Sequence, residues 1–496
     1  MNMKKLFLIL TVLAVLGTSC EKFLGVDETN PNQASAVPAS LVMPAALNNT
    51  AILTVTPGNY AFIYEWHGCW AISGGYSQDA NMTQYNILNS HFQNNWANSY
   101  LNIQNYDYII QNSTTSKQKP WRAMAEIMKA YVFQYLVDCW GNVPYSEANM
   151  ADKGILKPKY DDQKVVYEDL VARLDTAMNL IATMPADAEE PGDNDIIYHG
   201  DMTLWAKFAN TLKLRILMNQ SDMADRASYI STNIATTASV GYLAAGEGAM
   251  SNPGYVQSTG KMNPFWERFY KQDGSQQADG LGYFVPNQDA CDFLNANSDP
   301  RRLRFFAAYS GTLIQGNYFG AALLNLPSVT SKLGPGLLQA YNQSSPIMSD
   351  FEALFIQAEA AQRGFITGDA KALYESAVTQ SILYMGGAQG TEADAATYLA
   401  QAKANVSFDA SPDKIKAIIT QKWMALNGIA AMPIWDDYRR TGFPDFIHFS
   451  QDPARLSDTP PVRLLYPQYE INTNNDNVIL QGTINQFTSK IFWQNR

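Results

Sequence analysis

Apolar residues recur along most of this chain at helical spacing. Phe92, Trp96, Tyr100 and Ile103 stand three or four apart, and the run continues to Ile110. A helix turns about 100° per residue, so these positions share one face. Pro120 opens a second helix with a stripe of Met124, Ile127, Met128, Tyr131, Tyr135 and Leu136, ending near Trp140-Gly141. After Asp162, the stripe is Val166, Leu170, Leu174, Ala177 and Ile181. Asp201 is placed to cap a helix carrying Leu204, Trp205, Phe208, Leu212 and Leu217. Further helices are predicted over 349–363, stopped by Gly364, over 369–384, and from Ser411-Pro412 to Leu426. A short last one holds Ile434, Trp435 and Tyr438 and stops at Gly442. Paired amphipathic helices thus occupy 90–235 and 349–440. Such pairs stacked in series are the geometry of tetratricopeptide-type arrays, although the letters show no clean 34-residue repeat.

Two stretches break the pattern. Residues 57–90 read as loop, with Pro57-Gly58, Gly74-Gly75 and many Asn, Ser and Gln, yet they carry Tyr60, Tyr64, Trp66, Trp70, Tyr76 and Tyr85. Residues 241–348 are rich in Gly and Pro, with helix expected only at 264–270 and 287–295, and hold Trp266, Phe269, Tyr270, Tyr283 and Phe284. An irregular insertion of this length in a helical protein points to function. The tail from Pro453 reads as loop, ending in a strand-like Lys490-Ile491-Phe492-Trp493.

The N-terminus is built differently. Lys4 and Lys5 precede an apolar run over 6–16, then Gly17-Thr18-Ser19 and Cys20. This reads as a secretory signal over 1–19, too short for a membrane span. A cysteine directly after small residues resembles a bacterial lipoprotein cleavage site. Gly17 stands where such sites favour Leu, with Leu16 one place earlier. Cleavage would leave Cys20 as the acylated first residue of a single domain over 20–496. Each buried methylene adds about 0.8 kcal/mol to anchoring. Residues 20–56 are read as the lipidated tether.

Charge and composition narrow the chemistry. The formal charge is −11, and removing the leader with its two lysines leaves −13. No basic stripe offsets this, so nucleic acid is not an expected partner. Cys69, Cys139 and Cys291 are odd in number and widely spaced, which fits neither a disulfide framework nor a zinc site. His67, His91, His199 and His448 are scattered, and no GxSxG, HExxH, P-loop, CxxC or EF-hand-like loop occurs. No metal, cofactor or catalytic residue is expected. Asp436 and Asp437 are adjacent on a helix and point about 100° apart, so they suit salt bridges to Arg439 and Arg440 rather than a hydrolytic pair. The abundance of Tyr, Trp, Asn and Gln suits carbohydrate, whose apolar faces stack on rings and whose hydroxyls bond to amides.

Motifs spread from end to end resemble the SusD/RagB family, surface nutrient-binding lipoproteins of Bacteroidetes. They begin with Cys20-Glu21-Lys22-Phe23-Leu24 and Asn30-Pro31-Asn32. A helix running from Arg122 ends in Asp138-Cys139-Trp140-Gly141-Asn142-Val143-Pro144-Tyr145, and Pro158-Lys159-Tyr160-Asp161-Asp162-Gln163 follows. Trp205-Ala206-Lys207-Phe208-Ala209-Asn210-Thr211-Leu212-Lys213-Leu214-Arg215 is similar to the family's W-x-K-F-A-N-x-L-K-L-R. Asp299-Pro300-Arg301, Ala358-Glu359-Ala360 with Arg363-Gly364, Gln421-Lys422-Trp423, Arg439-Arg440-Thr441-Gly442 and Arg463-Leu464-Leu465-Tyr466-Pro467 complete the set. Each is weak alone; their order along the chain is the signal. Read from the residues, they mark turns and inter-helix polar contacts.

The resemblance implies a mainly α fold of four tetratricopeptide-like units with few short strands and a loop-built ligand site. It implies an outer-membrane, surface-exposed lipoprotein that is not an enzyme. It would capture an oligosaccharide, or in some relatives a peptide, and deliver it to a TonB-dependent barrel of the SusC type. Glu21, Asp27 and Glu28 loosely resemble the family's surface-export signal. Ring density on the two loop-rich regions makes Trp66, Trp70 and Tyr76, with Trp266, Tyr270 and Tyr283, the candidate sugar platforms. A surface glycoside hydrolase and a peptide-binding or envelope interaction scaffold are the rival classes.

Overall fold

The computed structural model describes residues 37–494; the leader and Cys20 lie outside them. The chain opens with α1 (Ala39–Val55) and α2 (Pro57–Trp66), where the sequence reads as tether and loop. Met43, Ala46, Leu47 and Ala51 bury one side of α1. Its polar Thr50 also faces inward, where its hydroxyl meets Tyr106 Oη at 2.7 Å and accepts from Asn102 Nδ2 at 2.9 Å. Pro57 sits in the first turn of α2, where a missing N–H costs nothing, so Pro57-Gly58 starts a helix instead of marking a turn.

The short strand β1 (Trp70–Ile72) leads to α3 (Gln93–Asn112), α4 (Lys119–Trp140), α5 (Gln163–Ala182), α6 (Met202–Met218) and α7 (Ala227–Thr236). The helix starts are set as the sequence predicts. Asp162 Oδ1 accepts from the N–H groups of Lys164 and Val165 at 2.9 and 3.2 Å. Asp201 Oδ1 does the same for Thr203 and Leu204 at 2.9 and 3.1 Å. α4 departs from the one-sided stripe expected of it. Trp121, Val132, Phe133 and Val137 are buried as well, because α4 runs between α3 and α5 and also packs on α1.

The insertion carries β2 (Ala249–Ser251), β3 (Phe284–Pro286), α8 (Gln288–Ala296), β4 (Phe306–Ala307), β5 (Lys332–Leu333) and β6 (Ser345–Met348). The strands form three antiparallel pairs, β1 with β3, β2 with β6 and β4 with β5. The first pair, with Ile72 opposite Phe284 and Trp70 opposite Pro286, ties the segment after α2 to the insertion. The second helical region holds α9 (Asp350–Gln362), α10 (Ala370–Met385), α11 (Glu392–Leu399), α12 (Lys414–Leu426) and α13 (Ala431–Thr441). α12 starts after Asp413, whose carboxylate caps the N–H of Lys416 at 2.9 Å, two residues later than Ser411-Pro412 suggests. The residues Lys490 to Trp493 form no strand; Trp493 is buried and donates Nε1–H to Asp138 at 3.2 Å.

The helix pairs are joined by buried charge. Arg440 donates to both Glu359 oxygens at 2.5 Å and to Asp437 Oδ1 at 2.7 Å. Lys422 pairs with Asp437 at 3.0 Å, and Arg363 bridges Glu359 at 2.8 Å and Asp222 at 2.9 Å. Burial alone would raise the Glu359 carboxyl, but Arg440 and Arg363 outweigh it and hold it near 2. Arg215 reaches Glu352 at 3.0 Å and Gln134 at 2.9 Å, joining α6, α9 and α4. Asp436 is likewise paired with Arg439 at 2.5 Å. These partners give the basic and acidic motif residues their scaffold role.

Candidate functional site

A half-open cavity of about 660 Å³ lies between α2, the segment leading to α3, and the insertion. Pro57, Gly58, Ala61, Phe62 and Glu65 line it at the period of one helix face, while Tyr60, Ile63 and Trp66 are buried in the core. Asp79, Met82 and Thr83 enter from the next segment, where Asp79 Oδ1 caps a single turn by accepting from Asn81 N–H at 2.9 Å. Ser90, His91, Phe92, Gln93 and Asn95 follow at the start of α3. Phe92 is in the left-handed backbone region at φ 56°, which is costly for an aromatic residue. Its ring centroid lies 4.2 Å from that of Phe62, and this packing holds it in place.

The insertion closes the other side with Arg268, Asp279, Tyr283, Phe284 and Phe319. The β1–β3 pairing delivers Tyr283 and Phe284, and Ser73 N–H donates to Tyr283 O at 3.0 Å. Arg268 is committed within this wall, donating to the two Asp279 oxygens at 3.3 and 3.0 Å. Burial raises the Tyr283 phenol, and the charges of Glu65 and Asp79 raise it further. Glu65 is itself pushed up to about 8 by burial and then by Asp79. Rings, amides and an acidic floor therefore meet in one recess, a surface suited to a polar ligand with apolar faces.

The six sequence-predicted rings separate. Tyr283 lines the cavity. Tyr76 backs it, edge-on at 5.5 Å between centroids, and its hydroxyl sits where any side chain on Gly282 would begin, 2.6 Å from an ideal Cβ. Trp266 and Tyr270 are half-buried, stack on each other at 4.3 Å and 19°, and lie outside this cavity. Pro264 and Glu267 from the same segment line a second recess of about 430 Å³ with Asn48, Tyr255 and Lys261. Trp66 and Trp70 are no platforms, since both are 0% exposed. Trp66 packs on Phe62 at 4.7 Å, and Trp70 packs on Tyr64 at 4.5 Å and donates Nε1–H to Asn427 at 3.0 Å. The sequence reading missed Phe62, Glu65, Phe92, Arg268 and Asp279. The readable signal was Glu65, a lone acid in the apolar run Ala61-Phe62-Ile63-Tyr64-Glu65-Trp66.

Comparison with known proteins accords with this architecture. The family model described as starch-binding and associating with the outer membrane, SusD-like, matches residues 31–467. No curated protein matches the chain. A SusD homologue from Bacteroides fragilis is 22% identical with a TM-score of 0.73, over 92% of this chain and 99% of its own. A SusD-like protein from Bacteroides thetaiotaomicron is 23% identical with a TM-score of 0.71, over 90% and 95%. A chitin-binding protein is also 23% identical with a TM-score of 0.73, over 93% and 100%. With its stacked helix pairs, short strand pairs and a motif set spanning most of its length, this chain belongs to the SusD-like family of starch-binding proteins that associate with the outer membrane.

Proposed function

We propose that this protein is a cell-surface lipoprotein, anchored through Cys20, that captures an oligosaccharide in the cavity beside α2 and delivers it to a SusC-type TonB-dependent transporter. The observation that carries the reading is the cavity wall. Phe92 and Tyr283 offer partly exposed rings, backed by the buried Phe62 and Phe284, and Asn59, Gln93 and Asn94 stand beside them. A sugar needs both kinds of partner, and about 660 Å³ is within the range of small-ligand sites. Each ring contact contributes about 1 kcal/mol, which gives the modest affinity that suits capture followed by release. The chitin-binding neighbour supports glycan as the ligand class. Titration calorimetry of the detergent-solubilised protein against plant, host and microbial glycans tests the reading. A glycan bound at micromolar to millimolar affinity, weakened roughly fivefold by Tyr283→Ala, is expected. A glycan bound equally by the folded variant would remove the cavity from the account.

One observation favours a second class. A buried carboxyl held near 8 beside a second carboxylate is also how an acid and a base are set apart in glycosidases. New reducing ends released from a bound polysaccharide, and lost in Glu65→Gln, would establish that class instead.

A further inference from the structure

The cavity contains an acid with no counter-charge. Glu65 is 8% exposed and, among the described residues, makes no hydrogen bond and no ion pair. Buried carboxyls normally find a cation or N–H donors, because an unmet one is costly. Here the cavity's own basic groups are engaged elsewhere, and its other titratable groups carry the wrong sign or none. Arg268 is held by Asp279. His91 accepts the Leu88 N–H at its Nδ1, 3.0 Å away, and burial lowers its basicity. Asn95 donates to the Asn59 carbonyl at 2.7 Å. Asp79 is a second acid, and Tyr283 a phenol whose proton is held more tightly than usual.

The missing partner is not a metal ion by this geometry. Among the described residues no group of three or more His, Cys, Asp and Glu is placed to hold one. Two carboxyl groups in a recess of about 660 Å³ leave most of an ion's coordination sphere to water. An organic ammonium meets the site better. Its N–H groups can reach more than one carboxyl, and neighbouring rings attract a cation to their faces.

We propose that the cavity recognises an oligosaccharide bearing a free primary ammonium, seated between Glu65 and Asp79. This rests on the cavity being the glycan site. On binding, the ligand arrives as R–NH3+, Glu65 ionises, and its proton passes to the buffer. A lysine side chain carries the same ammonium, so the test separates the two sources. The detergent-solubilised full chain is titrated at pH 5.5, where the sugar amine carries its proton, with glucosamine hexamer, N-acetylglucosamine hexamer and pentalysine. The glucosamine hexamer is expected to bind at least roughly tenfold tighter than its N-acetylated form, the value of one charge-assisted hydrogen bond. Its heat should vary with the ionisation enthalpy of the buffer, reporting proton release. Glu65→Gln, checked for folding by a thermal ramp, should abolish both the preference and the proton release.

Equal affinity for the two sugars, or a preference that survives Glu65→Gln, overturns the proposal. So does capture of pentalysine in place of both sugars. A neutral glycan bound without any gain from the amine defeats this inference while leaving the glycan-binding reading intact. Silence of every glycan defeats both.

Discussion

Replacing Glu65 by Gln should stabilise the fold, and the gain should grow with pH. The carboxyl titrates near 4.5 when the chain is unfolded and near 8 when folded. Between those values the folded state binds more protons than the unfolded one, so stability falls as pH rises. At 1.36 kcal/mol per pH unit, the loss from this group is about 3 kcal/mol by pH 7 and under about 1 kcal/mol at pH 5. Gln has the same shape and no such linkage. Unfolding entropy is about 2.1 cal/mol/K per residue, or roughly 1 kcal/mol/K for a body of this size. The variant should therefore melt about 3 °C above the wild type at pH 7 and within about 1 °C at pH 5. Differential scanning calorimetry at the two pH values reads this directly. A variant that melts lower at pH 7, or by the same offset at both, would mean that Glu65 has a partner, and the argument for an unmet charge would fail.

Other consequences follow from the same geometry. Trp70→Ala should cost about 3–5 kcal/mol in denaturant unfolding, because it empties a fully buried site and orphans Asn427, whereas Tyr283→Ala should leave the unfolding midpoint nearly unchanged. Arg440→Ala leaves Glu359 with Arg363 alone and Asp437 with Lys422 alone in the interior and should cost about 3 kcal/mol, measured by the same unfolding curves. Glu359 contributes the opposite pH sign to Glu65. Its carboxyl is held near 2 when folded against 4.5 unfolded, so about 3 kcal/mol present above pH 4.5 should be lost as pH falls towards 2, and Glu359→Gln should flatten that acid limb. Cys20→Ser should release the protein from the membrane fraction into the soluble one, read by fractionation and immunoblot.

The helical frame was legible because periodicity and capping agree. Asp162, Asp201, Ser349 and Asp369 each cap the helix that the apolar stripes predict. The polar motif residues were legible as contacts, and Arg215, Arg439 and Arg440 make them. The site was harder to read. Pro57-Gly58 looks like loop punctuation, and once α2 was missed the rings of Trp66 and Trp70 counted as loop aromatics instead of core. Seen as a helix, the same letters place Glu65 towards the cavity and Tyr60, Ile63 and Trp66 in the core, with Phe62 between them, packed on Trp66. The meeting of that face with Arg268, Asp279 and Tyr283 depends on the β1–β3 pairing across some two hundred residues of chain, which no local pattern encodes. Ring density pointed to the insertion but could not separate Tyr283, which lines the cavity, from the self-stacked Trp266 and Tyr270.

The most direct measurement is a crystal structure of the protein with a bound oligosaccharide from the calorimetric panel. The account predicts the sugar in the recess beside α2, with the ring of Phe92 or Tyr283 against a sugar face and a polar ligand atom within hydrogen-bond distance of Glu65. A sugar stacked on Trp266 and Tyr270 instead, with the recess beside α2 holding none, would contradict it.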